Sequence, residues 1–93
     1  MKFYYVYVLY STKDGKFYTG FSTNLKRRVI EHQKGKVLST KNRWPLHLVY
    51  YEACLDRKDE TNREKYLKTT YGKRFIKGRI KNYLEEYIHI SQG

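Results

Sequence analysis

Five side chains of this sequence have the types and spacing for phosphoryl chemistry: Tyr7, Tyr18, Arg28, His32 and Glu64. Tyr7 and Tyr18 fall on two runs that read as adjacent strands of a hairpin, where their side chains can approach one another. Arg28 and His32 lie four residues apart and share one helix face with Leu25, whose apolar side chain turns that face toward a sheet. An arginine beside a histidine at such an edge is an unusual core choice. Glu64 adds a carboxylate from a later helix, and the five together hold what metal-assisted hydrolysis of a phosphodiester needs. Taken singly, each has a plainer reading. The chain contains 11 tyrosines, so any one of them is first a strand-packing residue. Arg28 follows Lys26 and Arg27 and could be as solvated as they are. Glu64 could pair with Lys68 one turn on, and His32 could be a packed or exposed helix residue.

The elements that must position these groups are legible as patterns. Phe3 to Tyr10 is a continuous aromatic and β-branched run, which predicts a central strand covered on both faces. Asp14-Gly15 is a pair favoured where a hairpin needs positive φ, so Lys16 to Gly20 is expected to return as a second, antiparallel strand that Gly20 ends. Ser22-Thr23-Asn24 offers N-cap oxygens for a helix from Leu25 to about Lys34, closed by Gly35. After Pro45, Leu46 to Glu52 reads as a third strand. Asp56 can cap a helix running to about Tyr71, with Asp59 and Glu60 in the first turn and Gly72 as its stop. A last helix from Lys73 carries Ile76, Ile80, Tyr83, Leu84, Tyr87 and Ile88, a stripe expected to be mostly core. The order β-β-α-β-α-α predicts the α+β class, a small three-stranded antiparallel sheet flanked by helices. One domain spanning residues 1–93 is the expected count for a chain this short.

Charge says most about partners. Twenty Lys and Arg against nine Asp and Glu give a formal net charge of +11, so polyanions are the expected ligands. Lys34, Lys36, Lys41 and Arg43 fall in a stretch without a single acidic residue and, with Lys26 and Arg27 on the preceding helix, are candidate phosphate contacts. Trp44 could stack on a base or anchor the turn beside Pro45. No apolar run approaches membrane-spanning length, and no helix pairs a basic face with the broad apolar face that interfacial anchoring needs. Cys54 has no partner cysteine, so neither a disulfide nor a zinc cage is expected, and a reducing cytoplasm fits best.

Five segments together resemble one family. Tyr5-Val6-Tyr7 and Tyr18-Thr19-Gly20 stand at the spacing of a paired tripeptide signature. Asn24-Leu25 through Arg28-Val29 and the following His32, then Thr40, Pro45 and Leu48-Val49-Tyr50, and finally Arg63-Glu64 with Leu67-Lys68 complete the pattern. The chain is similar over nearly its whole length to the GIY-YIG nucleases, especially small single-domain members that resemble the N-terminal domain found in the excision-repair nuclease. The Gly and Ile of the first signature are Tyr5 and Val6 here. The resemblance implies that Tyr7 accepts a proton from, or orients, the attacking water, and that Tyr18 positions the phosphate or Tyr7. Arg28 would hold non-bridging oxygens, and His32 would hydrogen-bond the phosphate or trade a proton. Glu64 would be the single protein ligand to Mg²⁺ or Mn²⁺. The implied substrate is DNA, single-stranded or branched, with RNA possible and a repair protein a possible partner. A nucleic-acid-binding module with little turnover and an adaptor domain are the competing expectations.

Overall fold

The apolar run at the start of the chain becomes the middle strand of the sheet, as a stretch with no polar face must. The computed structural model describes residues 1–88. It shows a three-stranded antiparallel sheet in the order β2-β1-β3, built from β1 (Tyr4–Ser11), β2 (Phe17–Ser22) and β3 (Leu46–Cys54). The helices are α1 (Leu25–Gln33), α2 (Arg57–Leu67), α3 (Thr70–Arg79) and α4 (Lys81–Tyr83), the last running into a π-helical turn (Leu84–Ile88). The expected α+β order β-β-α-β-α-α is present, with this short helical tail after it.

Val6 through Ser11 of β1 are all buried, and alternate residues enter two separate cores. Val6 and Val8 pack with Leu67 of α2 and Ile76 of α3, whereas Tyr7 and Leu9 pack with Leu46 and the half-buried Tyr18 and Leu25. The sheet therefore has α2 and α3 against one face and α1 against the other.

Local chemistry sets the helix ends. The Asn24 side chain accepts from the Arg27 amide at 3.1 Å to start α1. At its other end Gly35 takes φ of +73°, its N–H donating to the His32 carbonyl while the Lys36 N–H donates to that of Glu31. Asp56 accepts from the Asp59 amide at 2.9 Å to start α2.

Four boundaries differ from the sequence expectation. β2 runs on to Ser22, so Gly20 lies inside the strand. β3 reaches Cys54. α2 stops at Leu67 rather than near Tyr71, because the Thr69 hydroxyl accepts from the Gly72 amide at 3.1 Å and starts α3 from Thr70. Gly72 is no stop. A Cβ there would stand 2.2 Å from the Tyr66 carbonyl oxygen and 2.4 Å from Leu67 Cα, so this glycine lets two helices touch backbone to backbone. The C-terminal stripe is also broken. Ile80 leaves the helical region at φ −115° and ψ 28°, and while Ile76 and Leu84 are buried, Tyr83 and Tyr87 are exposed with ring centroids 5.2 Å apart.

Candidate nucleic-acid cleavage site

The polar members of the second core open into a cleft of about 440 Å³ between the α1 side and the α2–α3 side of the sheet. Its walls include Tyr7, Tyr18, Gly20, Arg28, His32 and Glu64, together with Lys68, Lys73 and two residues of the loop after α1, Val37 and Ser39. All five side chains singled out for chemistry thus line one cavity.

Register explains how Tyr7 fits. Tyr7 pairs with Gly20 across β1 and β2, and a Cβ at that glycine would stand 2.3 Å from the Tyr7 hydroxyl. Only a residue without a side chain leaves room for the phenol to lie across the neighbouring strand. Tyr18 pairs with Leu9, two residues along, and so faces the same side.

Tyr7 is 2% exposed, and its hydroxyl meets His32 Nε2 at 2.8 Å; His32 Nδ1 in turn meets the Thr40 hydroxyl at 2.7 Å. Burial raises the Tyr7 pKa from its usual 10.0, and the adjacent Arg28 guanidinium opposes that rise. Burial, aided by the same arginine, depresses His32 from 6.5 to about 4, which makes the ring neutral at ordinary pH. Both ring nitrogens are occupied within the protein, so His32 addresses Tyr7 rather than the open cleft.

Arg28 is partly exposed and donates through one terminal nitrogen to Glu31 at 3.1 Å, a contact that steadies the guanidinium, whose other donors are free of hydrogen-bond partners among the described residues. Glu64 meets Lys68 Nζ at 3.1 Å, the i, i+4 pair expected on a helix. It is the one carboxylate on the cleft wall among the described residues, where no group of three or more His, Cys, Asp or Glu side chains could hold an ion. A divalent ion at this wall would accordingly have one protein oxygen ligand, which suits a cation that keeps most of its water. Tyr18 is turned to the hairpin turn instead: its hydroxyl donates to Asp14 Oδ2 at 2.5 Å, and Arg43 Nε stands 3.6 Å from the same oxygen. Burial and the Asp14 carboxylate raise the Tyr18 pKa.

The GIY-YIG catalytic domain model matches residues 3–77. The chain belongs to the GIY-YIG family. It is 35% identical over 90 residues to a UPF0213 protein of Desulfotalea psychrophila, covering 91% of this chain and 81% of that protein. A UPF0213 protein of Limosilactobacillus reuteri is 43% identical over 68 residues, 70% of each chain. Among solved structures, the solution NMR structure of a UPF0213 protein from Bacillus halodurans aligns with a TM-score of 0.52 and 32% identity, covering 80% of this chain and 81% of the other.

Within the GIY-YIG frame the two signatures are cross-strand neighbours, the tyrosine of the first lying over the glycine of the second. Tyr5 occupies the first signature's glycine position and packs against Tyr51. The predicted nucleic-acid contacts are spread more widely. Lys26, Arg27, Lys34 and Lys36 surround a separate shallow hollow on the outer side of α1, Lys41 is exposed, and Arg43 is directed to Asp14. Trp44 anchors the loop, its indole N–H donating to the His32 carbonyl at 3.1 Å. Sequence reasoning missed Gly20, Lys68 and Lys73 as cleft components and Thr40 as the buried partner of His32. Thr40 and Lys68 were visible as parts of the family pattern, but nothing in the sequence placed Lys73 at the cleft.

Proposed function

We propose that this chain is an endonuclease that hydrolyses DNA phosphodiester bonds with one divalent ion, acting in the cytoplasm and selecting single-stranded or branched DNA by shape. The observation that carries this reading is the meeting of Tyr7, Arg28 and Glu64 on one open cleft of a strongly cationic chain. Arg28 offers its free donors to the non-bridging oxygens of the scissile phosphate and offsets charge that grows there. Tyr7, as phenolate, takes a proton from the attacking water. A water oxygen to phosphorus bond forms, the bond from phosphorus to the leaving nucleotide oxygen breaks, and that oxygen takes its proton from solvent. The Arg28 charge favours the phenolate against the burial that opposes it. Glu64 is the residue that would hold Mg²⁺ or Mn²⁺, whose presence supplies Lewis-acid charge beside the phosphate. Lys68 and Lys73, on the same wall, hold flanking phosphates.

The test is a cleavage assay on labelled single-stranded, duplex and branched DNA, with an RNA arm, in Mg²⁺ or Mn²⁺ and in chelator. The wild type is expected to cut only with metal, and Arg28→Ala and Glu64→Ala to slow cutting by roughly 10²–10³-fold. Undiminished cutting by Glu64→Ala would remove the ion from that carboxylate. Tight, salt-sensitive binding by a wild type that never cuts would instead make the chain a binding module.

A further inference from the structure

The hydrogen bonds around His32 favour one tautomer of its ring. Because burial and Arg28 keep the ring neutral, it carries a single N–H, on either Nδ1 or Nε2. Thr40 is 0% exposed, and among the described residues its hydroxyl meets only His32 Nδ1. If Nδ1 carried the proton, the Thr40 oxygen would accept it and its own hydroxyl proton would be buried without an acceptor, its desolvation uncompensated. If Nε2 carries it, the unplaced proton moves from Thr40, which is away from the cleft, to Tyr7, which lines it and can reach solvent there. Thr40 donates to Nδ1, Nε2–H donates to the Tyr7 oxygen, and the one proton left to place is that of the Tyr7 hydroxyl, which borders the cleft.

We propose that Thr40 is a positioning residue that fixes His32 as the Nε2–H tautomer, so that His32 donates a hydrogen bond to Tyr7 and takes no proton from it. Its catalytic meaning rests on the function proposed above. The imidazole Nε2–H then donates to the oxygen that must become phenolate, and the adjacent Arg28 charge acts in the same direction, both favouring the charged form of a buried phenol. The Tyr7 proton leaves through the cleft to solvent, and His32 stays neutral throughout.

Long-range ¹H–¹⁵N correlation of the imidazole nitrogens decides this without any cleavage. His32→Gln assigns the His32 signals among those of the three histidines. In the wild type Nε2 is expected in the protonated range and Nδ1 in the unprotonated range, and a protonated Nδ1 would overturn the proposal even if Thr40→Val failed to fold. Thr40→Val is expected to mix the tautomers and Thr40→Ser to restore the wild-type spectrum; a Thr40→Val spectrum identical to wild type would also overturn it. In the cleavage assay Thr40→Val is expected to lower kcat on the order of tenfold with KM little changed, rescued by Thr40→Ser. The expected spectrum in a chain that never cuts would sink the nuclease reading and leave the tautomer standing, whereas normal cutting with Nδ1 protonated would do the reverse.

Discussion

Val6 and Val8 point to one side of β1 and Tyr7 and Leu9 to the other, and both sets are almost wholly buried. On the valine side the side-chain neighbours are Leu67 and Ile76, and apart from Glu60, which accepts from the Val6 amide, the fit is one of aliphatic packing. On the tyrosine side His32 and Thr40 are buried as deeply, and each polar atom has a specific partner. The two halves of one strand therefore do different work. The aliphatic half supplies free energy of folding with little demand on orientation, while the hydrogen-bonded half holds the Tyr7 phenol at a set position through its buried polar partners.

Substitutions on the two sides should separate these roles. Leu67→Ala empties a fully buried aliphatic site and is expected to cost about 2–5 kcal/mol of stability in denaturant melts, with cleavage per folded molecule unchanged. Gly20→Ala acts on the other side. Its new Cβ would overlap the Tyr7 hydroxyl, which cannot swing away without losing His32, so about 1–3 kcal/mol of stability should go together with nearly all cleavage. If Gly20→Ala melts earlier yet cuts normally, the fixed placement of Tyr7 is not what the tyrosine face provides.

Acid should also distinguish the faces. A histidine whose folded pKa is about 4 against 6.5 when free contributes stability that is complete above about 6.5. That stability is lost as the pH falls toward 4, by at most about 3 kcal/mol. Glu60 has the opposite sign. It is 3% exposed, accepts from the Val6 amide at 3.1 Å, and has its pKa raised by burial, so its contribution is lost as the pH rises through that value. The histidine part is thus the difference between wild type and His32→Gln, expected to shrink steadily from pH 6.5 to 4. A difference that stays flat would mean that His32 is not buried neutral.

The same contrast explains what could be read in advance. The all-apolar composition of β1 announced a strand buried on both faces, and the Asp14-Gly15, Asn24 and Asp56 signals placed a turn and two helix starts close to where they occur. The stop assigned to Gly72 failed because a glycine needed for close helix contact looks like one needed to end a helix, and only the position of Leu67 tells them apart. Gly20 was misread for the same reason. That Tyr7, Tyr18, Arg28, His32 and Glu64 would surround one cleft was legible in spacing and family pattern, but that His32 serves Tyr7 instead of the cleft depends on Thr40, brought near by a loop without periodicity. Composition likewise showed that cations are abundant without showing which of them surround the cleft.

That last ambiguity can be settled by salt dependence. Lys68 and Lys73 line the cleft, whereas Lys36 borders the hollow outside α1 and Lys41 is exposed on the loop. Each phosphate contact on duplex DNA contributes about 0.9 to the slope of log affinity against log salt. With chelator present to prevent cutting, Lys68→Ala with Lys73→Ala is expected to flatten that slope by about 1.8. Lys36→Ala with Lys41→Ala should flatten it by less than one contact's worth, because a backbone lying in the cleft need not reach the outer side of α1. A reversed ranking would move the nucleic acid to the basic loop, and with it the phosphate, away from Arg28 and Tyr7.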